Sequence, residues 1–130
     1  MAFNSLSRAF KTARFSKDAK KARIKDAELC LAIQQVFLGQ ADDLGGGVFK
    51  KRLNGNLHRS IILANGGKYW IYEYLFAKKD RANIENDELL AFRLLAKSYA
   101  SLTEHQVGQL LVSGDFLEIC NERQKTEIQK

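Results

Sequence analysis

The apolar positions of this chain follow two periods, one after the other. Early on they recur at helical spacing: Leu29, Ile33, Val36 and Phe37 form an i, i+4, i+7, i+8 stripe, with Asp26 placed to cap the helix and Gly39 to end it. Ahead of that helix, Arg8–Thr12 reads as a short strand with Phe10 as its core residue. Ser16 is a suitable N-cap for a short basic helix over residues 17–23. In the middle of the chain the period drops to two. Val48–Leu53, residues 57–64 and residues 68–77 read as three strands, joined by the turns Asn54-Gly55-Asn56 and Asn65-Gly66-Gly67. Two short turns in succession predict an antiparallel meander. On the third strand Trp70, Tyr72, Tyr74 and Phe76 share one parity, and Tyr69, Ile71, Leu75 and Ala77 the other. Both faces are therefore apolar, which suits a central strand covered on both sides or one side left open to stack a base.

After Arg81 the helical period returns. Asn86 or Asp87 can cap a long helix with Leu89, Phe92, Leu95, Ala96 and Tyr99 on its apolar face. Thr103 with Gln106 is a capping-box pair for a further helix, in which Val107, Leu110 and Leu111 face the core and Gly114 ends the element. Residues 116–120 suit a last short strand, and residues 121–130 a polar tail that frays. With neither proline nor internal repeat to divide it, the chain reads as a single α+β domain over residues 1–130.

Composition narrows the class. With 130 residues, 45% hydrophobic and 28% charged, the chain can bury one core without metals or cross-links. No apolar run approaches the roughly 18 residues of a membrane span. The acid-free opening MAFNSLSRAFKTARF superficially suits a transit peptide and reads better as a basic first strand with its lead-in. Cys30 and Cys120 are far apart, have no neighbouring histidine, and read as reduced thiols of a cytoplasmic protein. Asp42 and Asp43 lack a third ligand at suitable spacing and read as a solvated loop over residues 40–47. Neither a metal nor a cofactor is expected.

Charge changes the picture more. The net charge is +6, and it is gathered in blocks: residues 1–25 carry +7, residues 26–47 carry −4, residues 48–81 carry +6 and residues 82–130 carry −3. Two basic blocks favour a polyanionic partner. On the first strand of the meander, alternation puts Lys50 and Arg52 on one face, away from Phe49, Lys51 and Leu53. Arg59 opens the next strand, and Lys78, Lys79 and Arg81 close the third. Guanidinium groups bind phosphate oxygens bidentately and stabilise charge on pentavalent phosphorus. A lysine crowded by other cations has its neutral form favoured, so Lys50 beside Arg52 and Arg59 suits a proton acceptor. His58 falls on the parity opposite Arg59, outside that cleft. Lys20 and Lys21, with Lys51 and Lys78, suit contacts to RNA rather than to the scissile bond; a plain solvated face accounts for the helix lysines equally well.

The segment GGGVFKKRLNG, Arg59 at the head of an apolar strand, and LFAKKDRANIENDELLAFRLLAK together resemble the RelE/ParE toxin superfamily of bacterial toxin–antitoxin modules. The likeness covers about residues 8–100, more loosely to 120. It implies a small RelE-like fold: a mainly antiparallel sheet of about four strands, helices packed on it and a C-terminal helix. It also implies a ribosome-dependent endoribonuclease that cuts mRNA by attack of the 2′-hydroxyl, needs no metal, and is held in check by a cognate antitoxin, expected to be a helix-turn-helix repressor. The implied catalytic positions are Lys50, Arg52, Arg59 and Lys79. Where RelE carries arginine after the last strand this chain has Lys79, with Arg81 two residues on as a second candidate. Where RelE carries a tyrosine this chain has Glu85. Two other functions fit the same superfamily or charge pattern: a ParE-like gyrase poison, and a nucleic-acid-binding module without catalysis.

Overall fold

The computed structural model describes residues 7–64 and 66–121. Its elements run β1 (Arg8–Thr12), α1 (Ala13–Lys21), α2 (Asp26–Phe37), β2 (Asp42–Asp43), β3 (Val48–Leu53), β4 (His58–Leu63), β5 (Tyr69–Ala77), α3 (Asn86–Ala100), α4 (Glu104–Ser113) and β6 (Phe116–Ile119). Residues 1–6 of the expected lead-in, Asn65 of the second turn, and residues 122–130 of the expected tail lie outside the described residues.

The strands form one sheet in the order β2-β3-β4-β5-β1-β6. The α+β class stands, with six strands where about four were expected. The meander β3-β4-β5 is antiparallel as its turns require. β1 lies parallel to β5, and β6 runs antiparallel along the outer side of β1. The expected solvated loop contains β2, because Asp42 falls opposite Lys50 and pairs with it at 3.7 Å. The last described element is a strand rather than a helix: Arg8 grips Glu118 at 2.9 and 2.8 Å and fastens β6 to β1.

Helix boundaries follow from local hydrogen bonding. α1 begins at Ala13, earlier than the Ser16 cap suggests, because the Thr12 hydroxyl accepts the Phe15 N–H at 3.1 Å. This turns Phe15 and Ala19 inward, one helical turn apart. The helix ends in a Schellman pattern, Ile24 N–H to Ala19 O and Arg23 N–H to Lys20 O, with Arg23 at φ +60°. Burial of Ile24 offsets the cost of a left-handed arginine, about 1 kcal/mol. Asp26 is the first residue of α2 rather than its cap, and its carboxylate holds Lys11 at 2.7 Å. α3 is capped by Glu85, which forms a reciprocal box with Glu88; Thr103 and Gln106 form the one expected for α4.

Helices cover both faces of the sheet. α1 and α2 bury Leu29, Ile33 and Phe15 against Leu53, Ile62 and Tyr72. Tyr72 is fully buried, and its hydroxyl donates to the Leu29 carbonyl at 2.7 Å. On the other face α3 packs Ala96 over Val48, Ile61, Leu63 and Phe76, while α4 sets Val107 on Phe10, Ile71 and Phe116. The shared parity of the β5 aromatics does not hold. Ile61 faces Tyr74 while Ile62 faces Tyr72, so Glu73 is an extra residue in the strand. Trp70 and Tyr72 consequently join the α1–α2 side, and Tyr74 and Phe76 the α3 side.

Near the three-glycine loop, Arg93 of α3 donates to the carbonyls of Leu44 and Gly45. Gly46, at φ +64°, lies so close that a Cβ would come 2.7 Å from Arg93 Cγ. Only glycine satisfies both conditions.

The structure corrects the reading of the cysteines. Cys30 and Cys120 form a disulfide with a Cα–Cα distance of 5.4 Å. Placement of β6 at the outer edge of β1 carries Cys120 to the flank of α2, a proximity that 90 residues of separation conceal. Non-reducing denaturation should show no free thiol at these positions, and a reductant should lower unfolding free energy by about 2–4 kcal/mol. Thiol titration with paired urea curves measures both.

Glu73 supplies a second test. Its carboxylate accepts the Tyr99 hydroxyl at 2.7 Å. Burial raises its pKa above the ordinary 4.5, against the pull of Tyr99 and Arg14. The folded protein thus keeps a proton that the unfolded chain has already released, and stability falls as pH rises from about 4.5 through the higher folded value. Glu73→Gln should flatten this segment of the stability–pH curve, read from urea midpoints across the acid range.

Candidate functional site

The β3–β4 hairpin puts Arg52 directly opposite Arg59 on the same face of the sheet, with Lys50 opposite Ile61 two residues further in. Like charges directly opposite on a sheet are destabilising. Among the described residues neither arginine has an ion-pair partner. Arg59 is only 9% exposed, and its guanidinium is held at one end: Nη1 donates to the Asn56 carbonyl at 3.0 Å and the His58 carbonyl at 3.1 Å. The hairpin turn thereby orients the side chain through backbone acceptors, without neutralising its charge. Arg52 is exposed.

The adjoining strand extends the row. Phe76 of β5 pairs across from Arg59, and the Arg81 guanidinium lies 5.6 Å from the Phe76 ring and 6.0 Å from that of Tyr74. Arg81 is strongly held. It forms a two-pronged bond to Glu88, donates to the Tyr74 hydroxyl at 3.2 Å, and donates to the Asn83 carbonyl at 3.0 Å. Glu88, then Tyr74, raise its already high pKa; Arg81 in turn lowers that of Glu88. The chain after β5 crosses back toward β3, where the Asn83 side chain accepts from Lys50 at 3.3 Å. Lys50 is thus bounded by Asn83 and Asp42, rather than crowded by cations alone.

Lys50, Arg52, Arg59 and Arg81 therefore share one face. Lys79 does not join them. It is exposed and lines a groove at the edge of β5, together with Lys21, His58 and Arg14. Lys51 points to the opposite face and donates to the Gln40 carbonyl at 2.9 Å; burial, then the adjacent Arg52, lowers its pKa. Lys20 and Lys78 are exposed, and Lys20 belongs to the last turn of α1, where a cation suits the helix dipole. Glu85 caps α3 and so has a structural duty where a tyrosine was the comparison.

The sequence alone did not single out Arg14, Asn83 or Glu88. Glu88 is separated from Arg81 by an irregular loop, so no strand or helix period relates them. The lysine-to-Asn83 contact likewise depends on how that loop folds back. Among the described residues there is no group of three side chains suited to hold a metal ion, and no helix is long and apolar enough to cross a membrane.

The face has the composition of an anion cradle: two guanidinium groups without carboxylate partners, a third over an aromatic ring, and an ammonium group. Comparison with curated proteins and with solved structures found no match. A family model described as the RelE toxin of the RelE / RelB toxin–antitoxin system matches residues 7–119, a span that contains every element from β1 to β6. The chain belongs to the RelE toxin family.

Proposed function

We propose that this RelE-family toxin is a ribosome-dependent mRNA endoribonuclease, and that Lys50, Arg52, Arg59 and Arg81 bind the scissile phosphodiester. The observation that carries this reading is the Arg52–Arg59 pair. Two directly opposed arginines, one largely buried and neither matched by a carboxylate, are costly to the fold and suited to a phosphate.

RNA brings its own nucleophile. The 2′-oxygen attacks the adjacent phosphorus, the O2′–P bond forms, and the P–O5′ bond breaks. The 2′-proton passes to a base and the leaving 5′-oxygen gains a proton, which gives a 2′,3′-cyclic phosphate and a 5′-hydroxyl. Arg52 and Arg59 hold the nonbridging oxygens and stabilise the added charge at phosphorus. Lys50 is the proton-transferring group of this scheme, placed by Asn83 and Asp42. Arg81 adds positive charge from the β5 side, while Lys79, in the groove at the β5 edge, stands apart from the scissile phosphate. A cognate antitoxin, of helix-turn-helix type, neutralises the toxin by covering this face. Its approach is helped by the +7 and +6 basic blocks, so association slows as salt rises.

Single-turnover cleavage of mRNA on pre-bound ribosomes tests the assignment. Lys50→Ala, Arg52→Ala and Arg59→Ala should each lower the rate by about 10²–10⁴, with much smaller effects on ribosome binding. Arg59→Lys keeps charge while losing the planar fork and should fall between. Arg81→Ala should cost more than Lys79→Ala. Neutralising Lys20 and Lys21 should weaken binding and its salt dependence while bound complexes cleave normally. Wild-type rates in all the sheet-face variants would reduce the cluster to a docking surface. Pulse labelling in which DNA synthesis stops before translation would point instead to gyrase.

A further inference from the structure

β1 pairs with β5 only from Tyr69 to Tyr72. Beyond that point the same edge of β5 has no neighbouring strand among the described residues. α1 runs along one side of the open edge, and the turn after β5 forms the other. The result is a groove of about 440 Å³, large enough for a small ligand or one nucleotide unit of a longer chain. Arg14, Lys21 and Lys79 line it against Asp18 and Asp80; Arg81, at its end, is matched by Glu88.

His58 also lines this groove, and its protonation geometry is set from behind. Its Nδ1 lies 3.2 Å from Asn54 Nδ2. The same amide nitrogen lies 3.5 Å from the Ala22 carbonyl, an arrangement only a donor accepts. Asn54 is itself anchored at φ +56° by its backbone N–H to Glu28. With the Asn54 amide nitrogen donating, Nδ1 of the neutral ring accepts and Nε2 carries the proton. The sheet-face cations and the groove are contiguous, because Phe76 and Arg81 border both.

We propose that this groove is a phosphate subsite for RNA flanking the scissile bond, in which His58 Nε2–H donates to a phosphate oxygen and Arg14, Lys21 and Lys79 supply charge. The proposal rests on the ribonuclease reading and adds a second contact to it. RNA leaves the Arg52–Arg59 face, passes the end of β5 at Phe76, and enters the groove. His58 binds substrate here without taking part in the chemical step.

A short single-stranded RNA, 2′-O-methylated against cleavage, is the probe. Imidazole nitrogen NMR of the free protein should show the Nε2–H tautomer at His58. Titration should then perturb His58 together with Arg52 and Arg59. Lys21→Ala and Arg14→Ala should each reduce the slope of log affinity against log salt by about 0.7. His58→Phe should weaken binding about tenfold, with His58→Gln restoring much of it through its amide donor. Perturbation confined to Arg52 and Arg59, with groove variants binding as wild type, overturns the subsite and leaves the ribonuclease reading intact. A groove that responds to an acidic peptide and not to RNA overturns it in favour of a protein contact. Failure of the ribonuclease reading itself shows separately, as wild-type protein that does not cut mRNA on ribosomes.

Discussion

One extra residue in β5 decides how the two halves of the molecule are used. Before Glu73, the strand sends Trp70 and Tyr72 toward α1 and α2, where Tyr72 ties the sheet to α2 through the Leu29 carbonyl. After it, Tyr74 and Phe76 turn toward α3 and lie beside Arg59 and Arg81. A regular strand would have put all four aromatics on one side. The bulge thus supplies an aromatic anchor to the core and an aromatic platform to the cationic face from a single strand. It also leaves Glu73 half-buried, where Tyr99 and the field of Arg14 work against its desolvation.

The cationic face is arranged by groups that do not cancel it. Carbonyls of the hairpin turn hold Arg59 by partial charges, so its full positive charge is retained. Arg81 is treated differently. Glu88 pairs with it and fixes its position beside Tyr74 and Phe76. The face accordingly holds cations in two states of readiness: Arg52 and Arg59 uncompensated, Arg81 already engaged.

Much of this was legible in the residues. Strand alternation put Lys50 and Arg52 on one face, and the Asn-Gly turn marked the hairpin, whose register in the structure brings Arg59 opposite Arg52. The Thr103–Gln106 box and Gly114 bounded α4 as their chemistry requires. What was not legible depended on geometry that no local pattern encodes. Thr12 and Ser16 are both acceptable caps, and burial of Phe15 favours the first. β2 is two residues long, too short to show alternation, and is visible only through its pairing with Lys50 and Phe49 of β3. The bulge leaves an alternating sequence looking regular, and the disulfide joins two elements whose adjacency arises only after β1 is inserted between β5 and β6.

That insertion has a consequence for the order in which the chain is made. β1 emerges first, yet its partners are β5, beginning at Tyr69, and β6, which reaches it through Glu118. Ala9 and Phe10 must therefore wait for β5, some sixty residues further along, for one neighbour, and for β6 for the other. Local helices can form early, but the long-range pairing that closes the sheet belongs to the end. The β3-β4-β5 meander that carries the cationic face is contiguous in sequence and closes on itself, whereas the β1 side of the sheet is completed by the distant β6.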